Sequence, residues 1–157
     1  MRIEIWSIGK ENEPFIAEGI AYYFRKIKPW IQVSIQLIPP PKTTSSMDKT
    51  HIQLQEEAII LKRLKPEHYL IVLDERGKLL SSPQWAQHFE QCMTQGVKTL
   101  VLLIGGAYGV TENIRQQARQ TWSLSHLVFP HQLVRLIVAE QLYRSFSIIH
   151  HASYHHE

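Results

Sequence analysis

Short apolar runs alternating with helical stretches predict an α/β domain built on a largely parallel sheet. Three observations carry this reading. The apolar runs Arg2–Ile8, Val33–Ile38, Tyr69–Leu73 and Thr99–Ile104 are joined by crossovers of about twenty residues, enough to hold a helix and return to the same sheet edge. Thr99–Ile104 carries no charge at all, which suits a strand covered on both faces. The 157 residues suffice for one full core and are too few for two ordinary ones, so residues 1–157 are read as a single domain.

Taken in order, Arg2–Ile8 alternates Ile3, Ile5 and Ser7 with charged or aromatic neighbours and stops at Gly9, a first strand. From Pro14 the residues Phe15, Ile16, Gly19, Ile20, Tyr23, Phe24 and Ile27 recur at helical spacing until Lys28-Pro29 closes the helix. Val33–Ile38 is a second strand, halted by Pro39, Pro40 and Pro41. Pro39–Met47 is proline, lysine, threonine and serine, the stretch predicted to be most mobile. A polar helix follows over Asp48–Leu64, with Ile52, Ala58, Ile59 and Leu61 inward. Tyr69–Leu73 is an apolar strand ending at Asp74-Glu75-Arg76-Gly77. Ser82 reads as an N-cap, with Pro83 opening a helix that runs to Thr94 and stops at Gly96. After Thr99–Ile104 comes the turn Gly105-Gly106-Ala107-Tyr108-Gly109. Thr111 caps a short helix to about Thr121, and Leu124–Phe129 reads as a final strand or extended loop. Pro130 introduces a helix from His131 to about Ile148.

Apolar residues at 44% and charged residues at 20% describe a globular chain rather than a disordered one. The single cysteine, Cys92, forms no internal disulfide and reads as a partly buried helix thiol. MRIEIWSIGKENEP has no apolar core of signal-peptide length, and the run at Leu100–Ile104 is far short of a membrane span. A cytoplasmic location without membrane attachment is expected. A net charge of +3 and a pI near 9.0 permit contact with phosphate without demonstrating it. Two basic groups, Arg2, Arg25, Lys26 and Lys28 in one and Lys62, Arg63 and Lys65 in the other, read either as such contacts or as solvated faces.

In parallel sheets ligands sit beyond the carboxyl ends of the strands. Those ends are Leu73-Asp74, Gly105-Gly106 and Leu127-Val128-Phe129. The glycine turn has neither the lysine of a phosphate loop nor GxGxxG spacing, so phosphate binding is not indicated. The helix from His131 is apolar nearly all round, through Leu133, Val134, Leu136, Ile137, Val138, Leu142, Tyr143 and Phe146. Such a helix must bury two sides, which predicts a homodimer with this helix in the interface. Glu140 and Arg144 are spaced to pair, and His131 and Arg135 share a face. Four of the nine histidines, His150, His151, His155 and His156, crowd the end, but no cysteine or carboxylate set at ligand spacing accompanies them, so no metal is expected.

The motifs IGGAYGV and WSLSHLVFPHQLVRLIVAEQLYRSF, followed by Tyr154-His155, resemble the ribosomal RNA large subunit methyltransferase H family of the SPOUT class. RIEIWSIGK, Glu18–Tyr23 and LDERGKLLSSPQWA extend the likeness over the whole chain. The resemblance implies a parallel-sheet α/β fold with a C-terminal trefoil knot, a rare exception to the rule against threaded chains. It also implies a homodimer that methylates N3 of a pseudouridine in 23S ribosomal RNA, within the assembled ribosome, using S-adenosylmethionine.

By motif, the cofactor would meet Leu73, Gly105 and the segment Leu124, Ser125, His126, Leu127, Val128 and Phe129. Main-chain groups would read the adenine while Leu73, Leu127 and Phe129 cover its faces. His155 is the candidate general base, since histidine titrates near neutrality. Tyr154 would stack on or hydrogen-bond the target base, and Arg135 or Arg144 would stabilise the developing anion or hold a phosphate. The stretch His150-His151-Ala152-Ser153 departs from the family pattern, which often has Asn or Arg, Gly and Pro there. Two other classes fit the same residues: a ribosome-binding module without catalysis, and a related SPOUT enzyme acting on transfer RNA.

Overall fold

A computed structural model describes residues 1–42 and 48–154 of the chain. Five strands, β1 (Arg2–Ile8), β2 (Gln32–Ile38), β3 (His68–Leu79), β4 (Thr99–Ile104) and β5 (Gln120–Ser123), form one sheet in the order β2-β1-β4-β3-β5. Every pairing is parallel. Five helices connect or follow them: α1 (Pro14–Ile27), α2 (Lys49–Arg63), α3 (Ser82–Thr94), α4 (Glu112–Gln117) and α5 (His131–Ile149).

The central strand β4 sorts the core. Leu100, Leu102 and Ile104 face a cluster with Ile3, Ile5, Trp85, Phe89, Val138, Leu142 and Phe146, under α1, α3 and α5. Val101 and Leu103 face the opposite cluster with Trp6, Ile60, Ile114 and Val72, under α2 and α4. A strand walled in on both sides needs apolar residues at every position, which explains the charge-free run.

Caps agree with local chemistry. Asp48 accepts from the His51 amide at 2.7 Å, starting α2 where expected. The cap of α3 is Ser81 rather than Ser82: its hydroxyl accepts from Gln84 N, and Gln84 Oε1 accepts from Ser81 N at 2.8 Å, a closed capping box. Gly96 ends α3 with φ +75°.

Several expectations shift. In α2, Ala58 is exposed, while Ile60 and Glu56 are the buried positions. The polar helix after Thr111 stops at Gln117, and the last strand is Gln120–Ser123, so Leu124–Phe129 is loop. The strand β3 does not end at Leu73. Its pairing with β5 jumps from Leu73–Trp122 to Lys78–Trp122, leaving Asp74–Gly77 as a bulge. Gly77 permits this, because a Cβ there would lie 2.5 Å from the Trp122 carbonyl carbon. The expected mobile segment Pro39–Met47 falls, for residues 43–47, outside the described residues.

Burial of α5 on more than one side is achieved within the chain. It lies on the sheet between α1 and α3, packing Ala139 against Ile16 and Ile20, and Phe146 against Phe89. Two sides are thus covered without a second molecule. Among the described residues no helix is long and apolar enough to cross a membrane.

Candidate active site

At the carboxyl edge of the sheet, the ends of β3, β4 and β5 surround a cavity of about 810 Å³. Leu73, Gly105 and all of Leu124–Phe129 line it, so the structure brings together every residue assigned to the cofactor. The volume is within the range of ligand pockets, about 300–1,000 Å³. Asp74, from the predicted strand end, also lines it, as do Lys49, Gln53, Arg76, Tyr108, His131 and Val134, which motif and strand ends do not assign to the cofactor.

Each wall has a local cause. The glycine turn is closed by a single internal bond, Gly109 N to Gly106 O at 2.9 Å, with Gly109 at φ +73°. A Cβ on Gly105 would press on Val110 Cγ1 at 2.9 Å, so glycine keeps the turn tight. The loop after β5 is shaped by two serines of the WSLS motif. The Ser123 hydroxyl donates to Ser125 O at 3.0 Å, and the Ser125 hydroxyl accepts from Leu127 N at 2.9 Å. This leaves Leu127 and Val128 projecting, 72% and 86% exposed, while Leu73 and Phe129 are half-buried in the wall.

The bulge after Leu73 supplies the charged rim. Asp74, with a side chain only 4% exposed, accepts from Arg76 Nε and Nη2 at 2.9 Å each, and Arg115 Nη1 lies 3.4 Å away. Burial pushes its carboxyl up, but the Arg76 hydrogen bonds and both cations outweigh that and hold it below the usual range. Burial, then the charge of Arg135, lowers His131, so this imidazole at the pocket is neutral at physiological pH.

The residues assigned to chemistry stand elsewhere. Arg135 is 1% exposed and turned away into the fold. Its guanidinium donates to Ser7 Oγ at 2.8 Å, Lys10 O at 2.9 Å and Asn12 Oδ1 at 2.8 Å, tying α5 to the turn after β1. Arg144 pairs with Glu140 at 2.7 Å and lies over the Tyr154 ring, 5.0 Å from its centre. Tyr154 packs on Tyr143, ring centres 4.5 Å apart, and donates to Glu140 Oε1 at 3.3 Å. Burial, a hydrogen bond with Tyr23 and the Glu140 charge push its phenol well above the usual range, so it keeps its proton at neutral pH. At ~1.5 Å per residue, Arg144 is about 20 Å along α5 from His131 at the pocket. Neither Arg144 nor Tyr154 lines the cavity. His155 lies outside the described residues. Among the described residues no group of three His, Cys, Asp or Glu side chains converges as a metal site would require.

A parallel α/β sheet with a cleft of mixed polarity and a glycine turn at its carboxyl edge defines a ligand-binding α/β protein. The family model described as "Predicted SPOUT methyltransferase" matches residues 1–155. Proteins named ribosomal RNA large subunit methyltransferase H are similar throughout. The one from Flavobacterium johnsoniae is 37% identical over 157 residues, covering 100% of both chains. Those from Desulforamulus reducens and Cytophaga hutchinsonii are 36% and 35% identical, covering 99% of this chain and 99% and 100% of theirs. In fold the chain is similar to a probable methylase family protein from Haemophilus influenzae Rd KW20, with TM-score 0.53 and 14% identity over 95% of this chain and 66% of that one. The chain belongs to the SPOUT methyltransferases, in the ribosomal RNA large subunit methyltransferase H family. It is accordingly a methyltransferase.

Proposed function

We propose that this protein transfers a methyl group from S-adenosylmethionine to N3 of a pseudouridine in 23S ribosomal RNA, acting in the cytoplasm on assembled ribosomes. The observation that carries the reading is the convergence of Leu73, Gly105 and Leu124–Phe129 on one cavity. The residues suit an adenosyl group. Leu73 and Phe129 offer apolar faces for the ring, and the glycine turn and the 125–128 backbone offer N–H and C=O groups to its edges. When bound, S-adenosylmethionine supplies a sulfonium methyl open to in-line attack, leaving S-adenosylhomocysteine.

The remaining work belongs to the chain. N3 of the base attacks as its proton passes to a base, the role given to His155. Tyr154, protonated, donates to or stacks on the ring. Arg144 offsets negative charge developing there. Arg135 reaches no substrate while bonded to Ser7, Lys10 and Asn12, and its contribution is to hold α5.

We propose further that the working unit is a homodimer and that the chain carries the family's C-terminal trefoil knot. That Arg144 and Tyr154 do not line the cavity of their own chain supports a two-fold pairing in which the tail of one protomer closes the pocket of its partner. Exposed Phe15, at 67%, with the projecting Leu127 and Val128, supplies apolar surface that such a pairing would cover.

The test is methyl transfer from labelled S-adenosylmethionine to ribosomes lacking the modification, with the product nucleotide mapped. Label at N3 of a pseudouridine supports the reading, and label only in transfer RNA, or none, overturns it. In single turnover, His155→Ala is expected to slow transfer by ~10²–10⁴. A rate within about twofold of wild type removes His155 from the chemistry.

A further inference from the structure

One face of α2 closes on the glycine turn residue by residue. Lys49 Nζ lies 5.6 Å from the centre of the Tyr108 ring, and Gln53 Nε2 donates to Tyr108 O at 2.7 Å. Glu57 accepts from Asn113 Nδ2 at 2.7 Å and from the Thr111 hydroxyl, fixing the start of α4 just beyond the turn. Between them Glu56 points inward, 5% exposed, with its carboxylate packed against Gly106. Positions 49, 53, 56 and 57 share one side of a helix, so a single element grips residues 106–113 at four points.

Glu56 is the unexpected member. Burial pushes its carboxyl up. An apolar residue would fill the position without that cost, and the methyl-transfer chemistry above gives this carboxylate no role. Its oxygens lie so close to Gly106 that a Cβ there would overlap them, so the carboxylate sits where it does only because residue 106 has no side chain. The turn has only one hydrogen bond of its own. A glycine-containing turn so weakly closed samples many shapes unless something outside it holds one. Ordering it before the ligand arrives removes a cost that binding would otherwise carry.

We infer that Glu56 is a positioning residue for S-adenosylmethionine: packed against Gly106, it holds the Gly105–Gly106 turn, together with the Gln53 contact, in the shape that receives the adenosyl group. This rests on the cofactor reading given above. The group acts on the ligand only through the turn and touches no reacting atom.

Calorimetric titration of the full-length protein with S-adenosylhomocysteine separates the two claims. No binding by wild type overturns the cofactor reading itself. Given wild-type binding, Glu56→Ala is expected to raise Kd about tenfold, through loss of the side chain that packs against Gly106 and holds the turn. Glu56→Gln, which retains an acceptor oxygen, is expected to restore affinity to within about threefold. Ile60→Ala, a buried α2 residue whose side chain can make no hydrogen bond to the turn, is the control. It should lower the melting temperature at least as much as Glu56→Ala yet leave Kd within about twofold. In steady-state transfer, the KM for S-adenosylmethionine should rise with kcat at saturation nearly unchanged. If Glu56→Ala does not fold, Gln53→Ala takes its place, with an expected weakening of about threefold. Wild-type affinity in the folded Glu56→Ala or Gln53→Ala variant, or equal weakening by Ile60→Ala, overturns the inference.

Discussion

Changing Arg135 separates a structural role from a chemical one. Its guanidinium makes three hydrogen bonds of 2.8–2.9 Å, to Ser7 Oγ, Lys10 O and Asn12 Oδ1, and a longer one of 3.5 Å to Ile8 O. Bonds to a charged group contribute about 1.5–3 kcal/mol each, and desolvating the cation costs several kcal/mol against that. Alanine also leaves the fully buried Ser7 hydroxyl without its partner and opens a void the size of the side chain. The net loss expected for Arg135→Ala is ~3–5 kcal/mol, a large part of the ~5–15 kcal/mol by which domains are stable. Lysine keeps the charge but cannot fork across acceptors on two segments, so Arg135→Lys should lose ~2 kcal/mol and stay folded.

Urea unfolding followed by tryptophan fluorescence reads this directly, since Trp85 and Trp122 are buried in the core that α5 covers. With a slope of about 1–3 kcal/mol per molar, the lysine variant should unfold roughly 1 M earlier. Methyl transfer by the folded lysine variant at saturating cofactor should remain within a few-fold of wild type. A variant as stable as wild type to about 0.5 kcal/mol but slowed ~10²-fold would refute the structural assignment and return Arg135 to the reaction.

Two further outcomes follow from the site. Ser125→Ala removes the acceptor for the Leu127 amide, so S-adenosylhomocysteine should bind about five-fold more weakly, ~1 kcal/mol, with the melting temperature nearly unchanged; unaltered calorimetric affinity would show that the loop needs no such brace. Burial lifts the Glu56 carboxyl, so the folded chain holds that proton to higher pH than the unfolded chain, whose glutamate titrates near ~4.3. Stability from this group is full below that ordinary value and is lost as pH rises through the folded one. Glu56→Gln should therefore exceed wild type in urea midpoint by more at about pH 7.5 than at about pH 4.5, and a difference independent of pH would contradict the burial argument.

What could be read ahead of the structure follows a physical division. The charge-free run Thr99–Ile104, the start of α2 at Asp48 and the cap at Thr111 act over a few neighbouring residues, so composition and spacing report them. Leu73, Gly105 and Leu127–Phe129 were reached both by the rule for parallel sheets and by motif, although β3 runs on past Leu73 and Leu124–Phe129 is loop beyond β5. The bulge at Asp74–Gly77 escaped, since its cause is the pressure of Gly77 against the Thr121–Trp122 backbone on a strand more than forty residues later.

The same division explains why the charged residues were placed less well than the apolar ones. An apolar side chain needs only to be inside, and periodicity says which side is inside. A charged one needs particular partners, and topology chooses them. Arg135 faces acceptors on the β1–α1 turn more than 120 positions away, and Glu56 meets Gly106 fifty residues on. From sequence, Arg135 and Arg144 are interchangeable cations on one helix. In the fold one is sealed against the first turn of the chain and the other sits half-open beneath Tyr154. That difference in burial leaves Arg144, and not Arg135, with solvent access, which is why the proposed RNA contact is assigned to Arg144.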